Sequence, residues 1–359
     1  MFETDLTRRL NIRYPIIQAP MAGGPATTKL IAEVSNAGGL GSLGAAYLTP
    51  EILRSTIQEI RQLTEQPFGV NLFVPVETTE SQATIEKMTT CLNKYRIELG
   101  IKENPPIENV SESFEEQVQV LLEEKVPVFS FTFGIPSKDV IQAMKKQGTI
   151  VIGTATIVEE AKQLELAGVD AIVAQGSEAG GHRGTFLGNT TDSLIGTMAL
   201  VPQIVDQVSI PVIASGGIMD GRGLVASLAL GASAVQMGTA FLACIESGAH
   251  NVYKKTILSA NEDSTVVTRA YSGRAARGIQ TKFTKEIDQY PGVIPVFPIQ
   301  NAMTRDIRKA AAKANNPEYM SLWAGQGLRL ATDHSAGTII QQTMYQSHIL
   351  LEKMIKVSD

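Results

Sequence analysis

The feature that most restricts the fold is a rhythm. Short runs rich in Val, Ile and Ala fall at residues 15–19, 40–43, 68–74, 126–131, 149–153, 170–174, 211–214 and 234–237, and stretches of helical period separate them. Apolar runs of this kind suit strands buried on both faces, and strands that alternate with helices build a parallel sheet. The helices carry their own punctuation: Thr49 stands as a cap before Pro50, and Gly38 and Gly39 stop the helix over 27–36. Eight such units is the number that closes a (β/α)8 barrel.

The rhythm breaks twice. Residues 75–111 are polar, hold Pro105 and Pro106, and read as helical only over 81–99; an insertion at the carboxyl end of a strand covers an active site in many such folds. Beyond residue 245 the periodicity weakens and a proline-rich loop spans 290–298. The expectation is an α/β fold. A TIM barrel would take residues 1–74 and 112–245, and a smaller, mostly helical second domain over the barrel mouth would take 75–111 and 246–330. A C-terminal helix over 331–359 would pack on the barrel.

Composition sets bounds on function. With 31 basic and 36 acidic residues the formal net charge is −5, which gives nucleic acid or an anionic membrane nothing to hold. Residues 223–245 carry no charged side chain, but their glycines and polar residues parse better as a buried helix, a turn and a strand than as a membrane span. Cys91 and Cys244 lack metal or redox spacing, and the opening MFETDLTRRL is no signal peptide. A cytoplasmic protein with a small-molecule ligand is expected, and a homodimer stays open.

The chemistry concentrates at strand ends. After the strand at 170–174 comes QGSEAGGHRG, which places Gly180 and Gly181 for close backbone approach and His182 for proton exchange. The last two strands end in Ser215-Gly216-Gly217 and in Gln236-Met237-Gly238-Thr239; loops at these positions form the common phosphate cradle of such barrels. Asp220 reads either as part of that region or as a plain helix cap. Asn71 and Gln175 offer amides to the edge of a heterocycle, and Pro20 and Met21 pack under a flat ring or fill the barrel top. Glu178 orients His182, and Arg183 contacts phosphate, pairs with Glu178 or faces solvent. There is no P-loop, no dinucleotide fingerprint and no H-E-x-x-H.

Taken together, QAPMAGG at 18–24, GGLG at 38–41, FGVNLF at 68–73, QGSEAGGHRG at 175–184, ASGGIMDGRG at 214–223 and QMGTAF at 236–241 resemble the nitronate monooxygenases of bacterial class I. FPIQNAMTR at 297–305 and SLWAGQG at 321–327 extend the likeness. The resemblance implies an FMN cofactor held by Asn71, Gln175, Gly180, Gly217 and the run Gln236 to Thr239, with His182 as the active-site histidine. It implies oxidation of an alkyl nitronate, notably propionate 3-nitronate, with O2 to a carbonyl compound and nitrite through a flavin semiquinone. His182 would hold the anion as a cationic or donating imidazole, or take an α-proton from a neutral nitroalkane.

Two alternatives share the barrel. The flavin-dependent enoyl-acyl-carrier-protein reductases carry an EAGGH-type loop and use NAD(P)H, but the insertion at 75–111 and SLWAGQG argue against them. The inosine-monophosphate dehydrogenase type needs a cysteine in the loop after the sixth strand, where neither Cys91 nor Cys244 falls. A barrel that binds FMN without turnover would need no histidine.

Overall fold

The computed structural model of the chain describes residues 2–76, 78–107 and 110–356. Positions 1, 77, 108, 109 and 357–359 of the expected segments lie outside the described residues. In chain order the strands are β1 (Ile16–Gln18), β2 (Gly41–Gly44), β3 (Phe68–Phe73), β4 (Val128–Thr132), β5 (Ile150–Ala155), β6 (Ala171–Gln175), β7 (Gly181–His182), β8 (Val212–Ser215), β9 (Ala234–Met237), β10 (Thr265–Thr268) and β11 (Ala276–Ile279). All but β7, β10 and β11 form one parallel sheet in the order β1-β9-β8-β6-β5-β4-β3-β2. A bridge from Ile17 to Leu40 brings its two edges together, which makes a nearly closed eight-stranded barrel.

Local chemistry explains the helices. Thr49, Ser81, Ser113 and Ser137 each accept a backbone N–H from the first turn of the helix that follows. The helices turn Ile31, Val34, Leu53, Ile57 and Ile60 inward against the sheet. A helix that the sequence rhythm did not single out, Asp5–Leu10, opens the chain with a Thr4–Thr7 capping box. Its Leu6 and Leu10 pack with Ile17, Val128, Ile152 and Ile213 and plug the amino-terminal end of the barrel. Asp220 caps the helix Gly221–Ala229 by accepting the Arg222 N–H at 2.9 Å.

The long helix Ala336–Lys356 packs against Gly221–Ala229 and the helix Thr28–Asn36. A Cβ on Gly221 would stand 2.5 Å from the Ser347 nitrogen, so only glycine lets the two backbones meet. Above the barrel mouth, Met88, Leu92 and Tyr95 of the insertion helix share a second apolar cluster with Tyr253, Tyr271, Phe283, Ile307 and Leu322. Its regular structure among the described residues is mainly helical, and two short strands, β10 and β11, add an antiparallel sheet that β7 of the His182 loop joins. The strands are only two to four residues long, too short for a period of two to show against the surrounding polar sequence.

Candidate active site

A cavity of about 540 Å³ opens at the carboxyl ends of the barrel strands. Its wall includes Pro20, Met21, Asn71, Gln175, Gly180, Gly181, His182, Gly216, Gly217, Gln236, Gly238 and Thr239, so the expected residues converge on one space. Met237 does not join them. It is fully buried in the core between sheet and helices, because alternation along β9 turns it away from the side on which Gln236 lies.

The His182 loop is held from two directions. Its backbone forms β7, paired with Ala276 and Arg277 of β11. From below, the Gln175 side chain donates to the His182 carbonyl at 3.0 Å and accepts the Gly184 N–H at 2.8 Å. Gln175 thus braces the loop with one bond at each end of its amide and lines the cavity wall as well. Arg183, left open by the sequence, is buried and donates to the carbonyls of Gly176 (2.6 Å), Gln175 (3.0 Å) and Ser193 (3.0 Å). Burial depresses its pKa to about 10. Glu178 does not orient His182 either: its carboxylate accepts the N–H and the hydroxyl of Thr197, each at 2.9 Å, and caps the helix Thr197–Val205.

The imidazole of His182 sits among the rings of Phe73, Phe133, Phe297 and Trp323, with centroids 5.5 to 6.2 Å away. Its Nε2 lies 2.8 Å from the Ser272 hydroxyl oxygen. That hydroxyl donates its single hydrogen to the Arg274 carbonyl at 3.0 Å, so Nε2 is the donor and Nδ1 carries the lone pair. Burial among apolar rings, with Arg274 and then Arg308 nearby, lowers the histidine pKa to about 3. A cationic His182 is therefore corrected to a neutral one. Its basic form persists well below pH 6.5, and the rate with a neutral nitro compound is expected to show no imidazole inflection between about pH 5 and 8. A measured loss of kcat/KM on protonation near pH 6.5 would show that the ring is solvated instead.

Sequence reading passed over Ser272, Arg274, Arg308, Tyr47 and Phe133. Of the rings around the histidine, Phe73, Phe297 and Trp323 lie in the motifs FGVNLF, FPIQNAMTR and SLWAGQG. Phe133 holds a left-handed backbone, φ 81°, with the Arg274 guanidinium 3.8 Å over its ring, a strain of the kind stored at functional sites.

The ends of β8 and β9 fit a phosphate. Gly216 and Gly217 have φ of 122° and 71°, and the N–H groups of Gly216, Gly217, Gly238 and Thr239 donate to no backbone acceptor among the described residues. Unpaired amides at a helix start beside two left-handed glycines make a nest for an anion. Asn71 donates through Nδ2 to Ser130 at 2.9 Å, which leaves its carbonyl oxygen as the acceptor on the cavity wall.

Comparison with known proteins agrees with this geometry. The family profile described as nitronate monooxygenase matches residues 4–345. The chain is 49% identical to a "probable nitronate monooxygenase" of Staphylococcus haemolyticus, over 98% of both chains. Among solved structures it is similar to nitroalkane oxidase from Streptomyces ansochromogenes, with a TM-score of 0.90 and 38% identity, covering 97% of this chain and 99% of that one. FabK from Thermotoga maritima aligns over 99% of each chain at a TM-score of 0.78 and 34% identity.

Proposed function

The chain belongs to the nitronate monooxygenase family, and from that premise we propose that it binds FMN and oxidises alkyl nitronates, propionate 3-nitronate among them, with O2 to a carbonyl compound and nitrite. The observation that carries the cofactor is the set of unpaired N–H groups at Gly216, Gly217, Gly238 and Thr239, donors that suit a phosphate. These groups hold the phosphate. Asn71, Gly180, Gly181, Gln236, Pro20 and Met21 border the ring from the cavity wall, and Gln175 acts through the loop it braces.

Bound FMN supplies the electron acceptor for the nitronate and the reactivity toward oxygen. The protein supplies position and a dry environment. The aromatic rings around His182 exclude water, and the nearby guanidinium groups of Arg274 and Arg308 favour an anion in the cavity. Residues 75–111 and 246–330 serve as the roof of the site, a division supported by their shared apolar cluster. No helix among the described residues is long and apolar enough to cross a membrane, in keeping with a cytoplasmic enzyme.

A second substrate class is favoured by the histidine itself. With Nε2–H committed to Ser272, Nδ1 is a proton acceptor, the group needed to take the α-proton of a neutral nitroalkane. The similar Streptomyces protein is a nitroalkane oxidase. The test is to denature the purified protein, identify the released flavin, and assay nitrite in air. One FMN per chain and nitrite from propionate 3-nitronate are expected; FAD, or no flavin, would contradict the cradle.

A further inference from the structure

Residues 321–327, the SLWAGQG run, cross the cavity as a strap with two faces. Ser321, Trp323, Gly325 and Gly327 line the cavity, while Leu322 and Ala324 between them are buried in the apolar cluster of the roof. An extended backbone imposes this alternation, because successive residues point to opposite sides. The first half of the strap belongs to the roof. The Leu322 carbonyl accepts the Ile279 N–H at 2.8 Å, Trp323 pairs with Gly278 of β11, and the Trp323 carbonyl accepts the Tyr253 hydroxyl.

The second half reaches the barrel loops. The Gln326 N–H donates to the Glu178 carbonyl at 2.9 Å, and the Gly325 N–H donates to the Thr239 hydroxyl oxygen at 2.9 Å. Two glycines permit the approach. A Cβ on Gly180 would stand 2.5 Å from the Gly325 nitrogen, and one on Gly325 would stand 2.5 Å from the Glu178 carbonyl oxygen. With no Cβ on either side the two backbones can touch. Thr239 lines the cavity and is 7% exposed. Its hydroxyl has one hydrogen and two lone pairs. Gly325 takes a lone pair, and among the described residues the hydrogen has no protein acceptor.

We propose that the strap positions the cofactor phosphate: the Gly325 N–H holds the Thr239 hydroxyl so that its hydrogen goes to a phosphate oxygen, and the roof thereby helps to select FMN over a flavin without phosphate. A hydroxyl that donates to an anion makes a charge-assisted bond, stronger than a neutral one. The inference rests on the FMN reading above and adds Gly325, a residue of the roof, to the cradle formed by the barrel.

The flavin-loaded full chain would be equilibrated with mixtures of FMN and riboflavin, and the bound flavins released and separated. Their ratio gives the preference directly. The parent is expected to favour FMN. Thr239→Val keeps the shape and loses the hydroxyl, and is expected to cut that preference about 10- to 100-fold, the range of a hydrogen bond to a charged group. Thr239→Ser keeps the hydroxyl and is expected to stay near the parent. Gly325→Ala pushes the strap from Glu178 and is expected to cut the preference about 3- to 10-fold. It is expected to add nothing in a chain that already carries Thr239→Val, because both act through one hydroxyl. Tyr253→Phe adds no atom, frees the strap at the Trp323 carbonyl, and is expected to act in the same direction by a smaller factor. An unchanged preference in Thr239→Val, or in both strap variants, would overturn the proposal while leaving the cofactor reading intact. A parent that takes both flavins equally would instead overturn the phosphate cradle beneath it, so the two failures are distinct.

Discussion

Replacing His182 by Asn is expected to abolish nearly all turnover of neutral 1-nitropropane while leaving the flavin in place. The backbone of residue 182 pairs with Ala276 through main-chain atoms, and its carbonyl accepts from Gln175, so neither hold on the loop needs the imidazole. What disappears is the lone pair at Nδ1, which Asn cannot replace as a base. Removal of a positioned general base costs about 10²- to 10⁴-fold in rate. Propionate 3-nitronate supplied as the anion needs no proton removed and is expected to lose less. Steady-state assays with both substrates, beside an absorbance measurement of flavin content, check this. Loss of flavin from the variant would instead place His182 among the groups that hold the cofactor.

The second large effect is expected at Gly217. Its φ of 71° lies in the left-handed region, where Asn and Asp are the side chains best tolerated. A Cβ there meets the Glu178 Cβ at 3.4 Å, an ordinary contact. Gly217→Asn and Gly217→Asp therefore cost similar backbone strain, of order 1 kcal/mol, and differ in one negative charge beside the unpaired amides. Like charges set side by side cost several kcal/mol, so Asp is expected to weaken FMN retention at least about 100-fold beyond Asn. Flavin release followed by fluorescence during dialysis gives the comparison. Equal retention in the two variants would mean that the phosphate lies elsewhere.

The barrel was legible because its signals are local. Val and Ile runs, the helix cap at Thr49 and the glycine stops each act within a few residues, and Thr49 caps the helix Pro50–Leu63 as the sequence places it. The convergence of Asn71, Gly180, His182, Gly216, Gly217 and Gly238 on one cavity follows from strand ends alone. What the sequence withheld was long-range. Nothing near His182 reveals that Ser272, 90 positions away, fixes its tautomer, or that β11 zips against it. Gln175 and Glu178 look like ligand-facing groups because their chemistry suits that role. Their hydrogen bonds go instead to the backbone at 182–184 and at Thr197, partners whose nearness only the folded loop creates.

The roof hid for a related reason. Its strands are short, and its core gathers residues from the insertion and from positions after the barrel. Arg308 gave no signal of its own, since a lone arginine on a helix, Arg305–Lys313, is most often a solvated charge. Its place in the cavity wall is a property of the fold.

The measurement that tests the central claim most directly is anaerobic mixing of the purified, flavin-loaded protein with propionate 3-nitronate and, separately, with NADPH, followed by visible absorbance. The account predicts that the nitronate alone bleaches the oxidised flavin band to a one-electron-reduced spectrum, and that admitting air restores the band with release of nitrite. Rapid reduction by NADPH, with the nitronate inert, would contradict it and move the protein to the hydride-transferring barrels.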